Sequence, residues 1–232
     1  MTTPVPIPMT MPMPMPRWIR RLWRCLAAGL ALGTVLGCSA LRPSTNPAPA
    51  FYTLDTAGAV AAAAPAPAPQ AAASAPVLII NPPHAAAGFD SQRIIYLREP
   101  HKLEYFAHSE WVDPPARMLT PMLVSSMQRT GAFRAVVLTP SAAAGDLRLD
   151  TELIRLQQEF GTAASATRFT LRATLVDDKT RRVLAWREFE RAVPAPSADP
   201  YGGVLAANRA VQAVLDELAA FCAQAAHNWR AY

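Results

Sequence analysis

The stretch LRLDTELIRLQQEF, residues 147–160, decides the fold of this chain. From Leu147 to Leu153, apolar side chains or threonine occupy every second position, and charged side chains lie between them. This period of two predicts a β-strand with one face in a core and one face in water. The alternation slips at residues 153–156, which predicts a β-bulge or a strand end at that point.

The segments that follow extend this strand into a meander. Residues 169–175 repeat the alternation of apolar and polar side chains. The sequence DDKT at 177–180 is typical of a turn, because aspartate side chains bond to backbone groups two residues on. The run RRVLAWREFER, 181–191, follows directly. Together with residues 147–156, these segments predict three consecutive antiparallel strands.

A Pro-rich connection, 194–200, leads to an amphipathic helix predicted at about 201–227. Its apolar residues recur at steps of three and four, which is the period of a helix with one buried face. They are Val204, Ala207, Val211, Val214, Leu218, Phe221 and Ala225. The heptad spacing of these residues is also compatible with a coiled coil. A helix docked on the sheet is favoured, because three heptads at the end of a sheet-rich domain most often pack on that sheet.

Upstream of the meander, three short segments predict strands. VLII, 77–80, is a continuous apolar run typical of an interior strand. RIIYLR, 93–98, and KLEYFAH, 102–108, are separated by a short polar connection and predict a hairpin.

A first helix is predicted at about 114–130. Asp113 precedes two prolines and is the expected N-cap, and Gly131 is the expected stop. Pro121 lies inside the pattern, so we expect it to kink the helix or to split off the first turn. FRAVVL, 133–138, then returns as a strand. The fold class is therefore a single α+β domain at 51–227, with a mostly antiparallel or mixed sheet, two main helices packed on it and a tail at 228–232.

The N-terminal stretch RCLAAGLALGTVLGCSALRPS, residues 24–44, predicts export and attachment. Its apolar run, 25–37, has 13 residues, whereas a helix needs about 20 to span a bilayer. Four arginines and no acid precede Cys38, as in a signal peptide. Val35-Leu36-Gly37-Cys38 resembles the bacterial lipobox, in which the cysteine becomes the mature N-terminus and carries the acyl chains. We expect a signal peptide at 1–37, lipid such as palmitate on Cys38, and a tether at 38–50.

Other interpretations of this region are a plain secretory signal, a core segment with an incidental cysteine, and a twin-arginine signal at Arg20-Arg21.

After the tether, FYTLD at 51–55 predicts a short strand. The Ala/Pro-rich run that follows, about 56–76, predicts a disordered insertion because its proline spacing opposes a helix.

Charge and composition exclude nucleic acid as a partner. The whole chain has 22 basic and 17 acidic residues. Four of the basic residues and none of the acidic ones precede Cys38, which leaves 18 against 17 and a net charge of +1 in the mature chain. No basic run with interleaved aromatic residues is present, so the signature of nucleic-acid binding is missing.

The motifs of enzymes and cofactor sites are also missing. The chain has no G-x-S-x-G elbow and no Gly-rich phosphate loop. His101, Glu104 and His108 could resemble a metal site, but on a strand His101 and His108 would point to opposite faces. The Asp177-Asp178 pair is better explained as turn chemistry, and Cys222 as a buried small apolar residue. We expect no enzymatic activity, no metal and no cofactor other than the lipid on Cys38.

The order of several motifs resembles a known family. They are FYTLD, VLIINPP, FDSQRIIYLREPHKLEYFAHSEWVDPPARML, MQRTGAFRAVV, LRLDTELIRLQQEF and DDKTRRVLAWREFER. Behind a lipobox, this series is similar to the ABC-type transport auxiliary lipoproteins, the group that contains paraquat-inducible protein C. The resemblance runs over about 51–226, and the Ala/Pro insertion is its main departure.

The resemblance implies an accessory subunit of an MCE-type ABC transporter for phospholipid or other hydrophobic cargo. The expected partners are an MCE-domain protein with its permease and ATPase, and the outer membrane, to which Ser39 after the acylated cysteine would direct the chain. Whether the chain forms a homo-oligomer stays open. Aromatic residues with polar handles are enriched in interfaces, so Tyr96, Tyr105, Phe106 and Trp111 are the candidate partner-binding residues, with core packing as the alternative for each. A structural or assembly lipoprotein of the envelope and a periplasmic enzyme are the other functions considered.

Overall fold

The computed structural model describes residues 48–55, 71–161 and 164–229. In these ranges the chain forms nine strands and two helices, which confirms the α+β fold class. The strands are β1 (Ala50–Tyr52), β2 (Val77–Ile80), β3 (His84–Ala85), β4 (Arg93–Leu97), β5 (Glu104–Trp111), β6 (Ala135–Leu138), β7 (Leu147–Phe160), β8 (Ser165–Asp177) and β9 (Val183–Pro194). The helices are α1 (Pro115–Arg129) and α2 (Pro200–Asn228).

Strand β7 organises one mixed sheet. On one side it pairs antiparallel with β8, and β8 pairs antiparallel with β9, so the predicted meander is confirmed. On the other side β7 pairs in parallel with β2 near its start, with β3 in its middle and with β4 near its end. Strand β6 lies beyond β2, and β5 and β1 lie beyond β4. The sheet therefore forks on this side of β7.

The predicted bulge is present and sets which residues of β7 face the core. The register with β8 shifts between Leu153 and Arg155. Before the shift, Leu147 and Leu153 are fully buried at odd positions, and after it Leu156 and Gln158 are buried at even positions. The bulge thus keeps one face of a long strand turned inward although the sequence parity changes.

Both helices cover the same face of the sheet. Helix α2 packs on β8 and β9, so the helix is docked on the sheet and the coiled-coil alternative is wrong. Its apolar stripe is buried, with Val211, Val214 and Leu218 at zero exposure. Helix α1 packs against α2 and β6. Among the described residues, no helix combines the length and the apolar composition that crossing a membrane requires.

The start of α1 differs from the prediction. Pro114 occupies the N-cap position, which has no side-chain hydrogen bond, and Asp113 instead pairs with the Arg117 side chain at 3.3 Å. With Asp113 as N-cap, the second helical residue would be Pro115, which has no N–H, so only the N–H of Ala116 could bond to the Asp113 carboxylate. The helix also runs unbroken through Pro121, so the expectation that its first turn splits off is wrong. Gly131 follows the helix with a φ of 65°.

Several predictions fall outside the described residues. They concern the signal peptide at 1–37, Cys38, most of the tether and residues 56–70 of the Ala/Pro insertion. The last residues of that insertion, 71–76, are described and contain a turn. Pro76 is buried and its carbonyl accepts a hydrogen bond from the Arg134 N–H at 3.0 Å. Pro76 is therefore packed in the domain, whereas the prediction placed it in a disordered insertion.

Candidate partner-binding surface

Tyr96, Phe106 and Phe160 form an aromatic cluster where β4, β5 and β7 meet. The Tyr96 ring lies 4.4 Å from Phe106 and 5.6 Å from Phe160, measured between centroids, and Phe106 and Phe160 are 6.4 Å apart. Sheet register explains this arrangement. Tyr96 pairs with Glu104 on β5 and with Gln158 on β7. Two residues further along each strand, the chain returns to the same face at Phe106 and Phe160.

Arg98 covers this cluster. Its guanidinium lies 4.9 Å from the Tyr96 centroid and 5.7 Å from the Phe160 centroid, which is within cation–π range. All four side chains are at least partly accessible. The cluster therefore presents aromatic rings with a cationic edge, the chemistry that is enriched at the centres of protein interfaces.

Tyr105 lies on the opposite face of the sheet from Phe106. Neighbouring residues of a strand point to opposite sides, and Tyr105 pairs with Ile95. It is 41% exposed, and the Arg93 guanidinium lies 4.7 Å from its ring centroid. Of the four predicted residues, the structure brings together Tyr96 and Phe106 and places Tyr105 in a separate pair.

Trp111 belongs to the core. It is only 3% exposed and lies with Ile94, Leu156 and Ala207 in the hydrophobic cluster beneath the helices. Its assignment to a partner-binding surface is therefore wrong, and the alternative of core packing holds. Of the other three residues, Tyr105 is exposed, Tyr96 is half-buried, and Phe106 is half-buried and packs against the core.

Sequence reasoning missed three further residues, of which Arg98 and Trp186 are exposed and Phe160 is half-buried. Phe160 and Arg98 complete the Tyr96 cluster, and Trp186 is 68% exposed on β9. The slip at 153–156 moves the inward-facing positions of β7 from odd to even numbers, so it places Phe160 on the same face as Gln158 and its neighbour Tyr96. Trp186 lies between Ala185 and Arg187, and its exposure follows from its pairing with Thr174 on the polar face of β8.

The face of the meander away from the helices carries a ladder of ion pairs. Arg168 bonds to Glu159 at 2.9 and 3.0 Å and to Glu190 at 2.5 Å, and Arg172 joins Glu152 and Glu188 at 3.0 and 3.1 Å. Partial burial opposes ionisation of Glu159, but the hydrogen bonds from Arg168 and Gln157 outweigh it and lower its pKa. Exposed pairs of this kind contribute about 0–1 kcal/mol each. They hold the register of β7, β8 and β9.

Other titratable groups have structural roles. Burial raises the pKa of the Cys222 thiol to about 12, as expected for a core cysteine. Asp199 caps α2 by accepting a hydrogen bond from the Gly202 N–H at 2.7 Å, and this bond lowers its pKa. His101 lies in the loop before β5 and not on the strand. In the part of the chain that the structure describes, no group of three or more His, Cys, Asp or Glu side chains could hold a metal.

Asp177 ties the β8–β9 turn to the end of α2 and gives the fold an acid-sensitive contact. Its carboxylate accepts hydrogen bonds from the Thr180 N–H at 2.8 Å and from the Trp229 indole at 3.0 Å, which lower its pKa to about 2 from the ordinary 3.8. A lowered folded-state pKa stabilises the protein above the unfolded value, and this stability is lost as the pH falls through the folded value.

We therefore expect the free energy of unfolding, measured by urea denaturation, to fall between pH 4 and pH 2, the window that these two pKa values define. Asp177→Asn should be less stable than the wild type at pH 7 and should show a smaller fall in this window. Asp90→Asn, which alters an exposed carboxylate in a loop, is the control and should keep the wild-type profile. Equal pH profiles for the wild type and Asp177→Asn would contradict the assignment.

The described residues form an α+β domain with a forked mixed sheet and two helices on one face. The chain belongs to the family of ABC-type transport auxiliary lipoprotein components, whose family model matches residues 52–219. The matched range contains β2 to β9, α1 and most of α2. Membership associates the chain with ABC-type transport and with a membrane-anchored position in the cell envelope.

Solved structures agree with this assignment. Protein XCC0632 from Xanthomonas campestris, of the DUF330 family, is 25% identical, with a TM-score of 0.61 over 68% of this chain and 92% of that chain. A second, uncharacterised protein is 12% identical, with a TM-score of 0.54 over 76% of this chain and 97% of that chain. At that identity the second likeness shows the fold alone. No curated protein matches the chain significantly.

Proposed function

We propose that this chain is the outer-membrane-anchored periplasmic subunit of an MCE-type ABC transporter that moves phospholipid or other hydrophobic cargo across the envelope. The observation that carries the proposal is the family match over 52–219 behind a lipobox-like sequence. The lipid anchor attaches the domain to the outer membrane, and the surface of the domain binds the MCE protein. The MCE protein in turn connects to the permease and the ATPase.

The anchor is Cys38. Stable attachment takes at least two lipid signals, each contributing about 0.8 kcal/mol per buried CH₂, and the acyl chains of a lipobox cysteine satisfy this requirement. Eleven residues separate Cys38 from Ala50, the first residue of β1. Fully extended, they span about 40 Å at most. The tether therefore keeps the domain close to the membrane that carries the lipid.

The partner-binding surface is the Tyr96, Phe106, Phe160 and Arg98 cluster, with the Tyr105–Arg93 pair on the other face of the same hairpin. Aromatic and arginine side chains that are already held by neighbours lose little conformational freedom on binding. Packing of Tyr96 against Phe106, with Arg98 above, supplies such a held arrangement.

We propose further that the protein is not an enzyme and needs no cofactor beyond its covalent lipid. The carboxylates with lowered pKa support this, because each is engaged by a structural partner. Asp146 accepts the N–H of Val77, Asp177 closes a turn, and Asp199 caps a helix. Catalytic acids and bases are instead found together in a cleft, with pKa values tuned toward the working pH.

The test is affinity purification of the acylated protein from its native membranes, with co-purifying proteins and lipids identified by mass spectrometry. Recovery of an MCE-domain protein with its permease and ATPase is the expected result. Cys38→Ala should move nearly all of the protein from the outer-membrane fraction to the soluble fraction, because it removes the acylation site. Ser44→Ala, which changes the tether without touching the lipobox, is the matched control and should stay in the membrane.

Two results would overturn parts of this proposal. Purification without any transporter component would favour a structural or assembly lipoprotein of the envelope. Recovery of Cys38→Ala in the outer-membrane fraction at the wild-type level would refute attachment through this cysteine.

Tyr105→Ala should lower recovery of the MCE protein while leaving membrane attachment unchanged.

A further inference from the structure

The first half of β9 is an open sheet edge. Strand β9 pairs with β8 on one side, and in the described residues no strand pairs with its other side. An edge strand leaves every second backbone N–H and C=O without a strand partner, and natural proteins usually protect such an edge with charges, proline or a covering element. The two halves of β9 differ in this protection.

The second half of β9 is protected by ion pairs and a proline, whereas the first half has only a bulge at Leu184, where Leu175 of β8 pairs with Ala185 and Val176 pairs with Val183. From Glu188 onward, the strand carries ion pairs from Glu188 to Arg172, from Glu190 to Arg168 and from Arg191 to Glu217, and it ends at Pro194. In the segment Val183–Arg187, no side chain forms an ion pair with any described residue. This half is therefore the part of the edge that is available for pairing.

Apolar groups flank this open half on both faces of the sheet. On the outer face, Val183 is 54% and Trp186 is 68% exposed. On the helix face, an open groove of about 420 Å³ separates β9 from the last turns of α2. Its apolar lining includes Leu184, Phe221 and Trp229. An open backbone edge with apolar pockets on alternate sides is the arrangement used in strand addition, where main-chain bonds give affinity and side-chain pockets give specificity.

Charge identifies the occupant. Arg182 lies at the groove, is exposed and forms no ion pair with a described residue. At the other end of the open half, the Arg187 guanidinium lies over the Phe189 ring at 5.1 Å and also has no carboxylate partner among the described residues. A second copy of this segment carries the same two arginines and no acidic residue between them, so residues 182–187 of a second copy supply no carboxylate to pair with Arg182 and Arg187. An acidic segment is therefore favoured over a second copy.

We propose that Val183–Arg187 is a strand-addition site for an extended segment of a partner protein in which apolar and acidic residues alternate. Its apolar side chains, which all lie on one face of the added strand, contact Val183 and Trp186, and its carboxylates, which lie on the other face, meet Arg182 and Arg187 on the helix side. This site is separate from the Tyr96 cluster. It goes beyond the proposed transport function, because its test measures docking without cargo, transporter or membrane.

The probe is the blocked peptide acetyl-Glu-Val-Asp-Leu-Glu-Val-Asp-amide, titrated into the folded chain by calorimetry and by NMR. Two matched peptides serve as controls. In one, alternate backbone nitrogens are methylated, which keeps the side chains but removes the donors for strand pairing. In the other, lysine replaces each acidic residue. Trp186→Ala and Arg182→Glu are the test variants, and Tyr201→Ala, at a site 58% exposed, is the matched aromatic control.

We expect the acidic peptide to bind, with NMR shifts confined to β9 and the end of α2. Trp186→Ala and Arg182→Glu should each weaken binding by about tenfold or more, as for residues at the centre of an interface, and Tyr201→Ala should have no effect. Neither control peptide should bind. The proposal is overturned if the methylated peptide binds equally well, if Trp186→Ala binds like the wild type, or if no binding occurs at about 1 mM peptide. The proposal is also overturned if the chain self-associates and Trp186→Ala abolishes this self-association, because the edge then binds a second copy. It is likewise overturned if phosphatidylglycerol vesicles bind through Arg182 and the peptide does not, because the edge then binds a membrane.

Discussion

Trp111→Ala is expected to lower the free energy of unfolding by about 3–5 kcal/mol, the cost of removing a large aromatic side chain from a core. Trp111 is 3% exposed and lies among residues of β4, β7 and α2. Its loss leaves a cavity that these three elements cannot all close. Because small domains are stable by only about 5–15 kcal/mol, the variant should be close to unfolding at physiological temperature. Urea denaturation monitored by circular dichroism measures the change.

Tyr105→Ala is the matched control for this prediction. Tyr105 lies on the same strand, but it is 41% exposed, so we expect a loss of less than about 1 kcal/mol. The two variants should also differ in partner binding. Tyr105→Ala should fold and bind the partner less well, whereas folded Trp111→Ala protein should bind normally below its melting temperature. A stable Trp111→Ala protein with impaired partner binding would show that Trp111 is a partner-binding residue and not a core residue.

The sequence pattern of β5 did not show that Trp111 is buried, because the pairing of β5 with β4 is irregular. Arg93 pairs with Glu110, and Ile95, only two residues later, pairs with Tyr105. The four residues 106–109 of β5 therefore lie opposite Ile94 alone, and this irregularity changes which parity faces the helices. The same kind of slip on β7 was visible because charged residues marked the outer face before it. On β5, the residues EYFAHSEW mix aromatic, small and charged types on both parities, so no outer face could be recognised.

The two helix starts show how similar sequences lead to different caps. Both helices follow an aspartate and a proline. Asp199 is followed by one proline, and the Gly202 N–H remains available to its carboxylate. Asp113 is followed by two prolines, so the cap shifts to Pro114, whose carbonyl accepts the Arg117 N–H at 2.9 Å. After Asp199, the N–H groups of Tyr201 and Gly202 are both free to cap, whereas after Asp113 only that of Ala116 is, so the sequence offers a weaker cap at α1.

Local patterns predicted the meander, the β4–β5 hairpin and the docking of α2, because each depends on neighbouring residues or on one continuous apolar stripe. The parallel pairs were not predicted. Strand β1 joins β5, and β2 joins β6 and β7, across long sequence separations. Short apolar runs such as VLII fit any interior position of a sheet, so their partners are set by packing beneath α1 and α2. The Tyr96 cluster was only half predicted for the same reason, since Phe160 reaches it through the β4–β7 pair.

The close approach of α2 to the sheet leads to a final prediction, on Gly203. A Cβ atom at this position would lie 2.2 Å from the Oε1 of Gln158. Gln158 is 2% exposed, and its Nε2 donates a hydrogen bond to Ser165 Oγ at 3.0 Å, so its side chain has little room to move. On the same turn, the Gly203 carbonyl accepts a hydrogen bond from Thr167 Oγ1 at 2.9 Å. The helix start is thereby held against β7 and β8.

Gly203→Ala should lower the free energy of unfolding by about 1–3 kcal/mol, because overpacking a closed site outweighs the gain of up to about 1 kcal/mol in helix propensity. In a Gln158→Ala background, the clash is absent, and the same substitution should be neutral or stabilising. A double-mutant cycle by urea denaturation measures this coupling, which should exceed about 1 kcal/mol. Additive effects would show that the backbone of α2 yields more easily than Gln158. A coupling of the expected size would show that the absence of a side chain at Gly203 allows α2 to lie directly on the sheet.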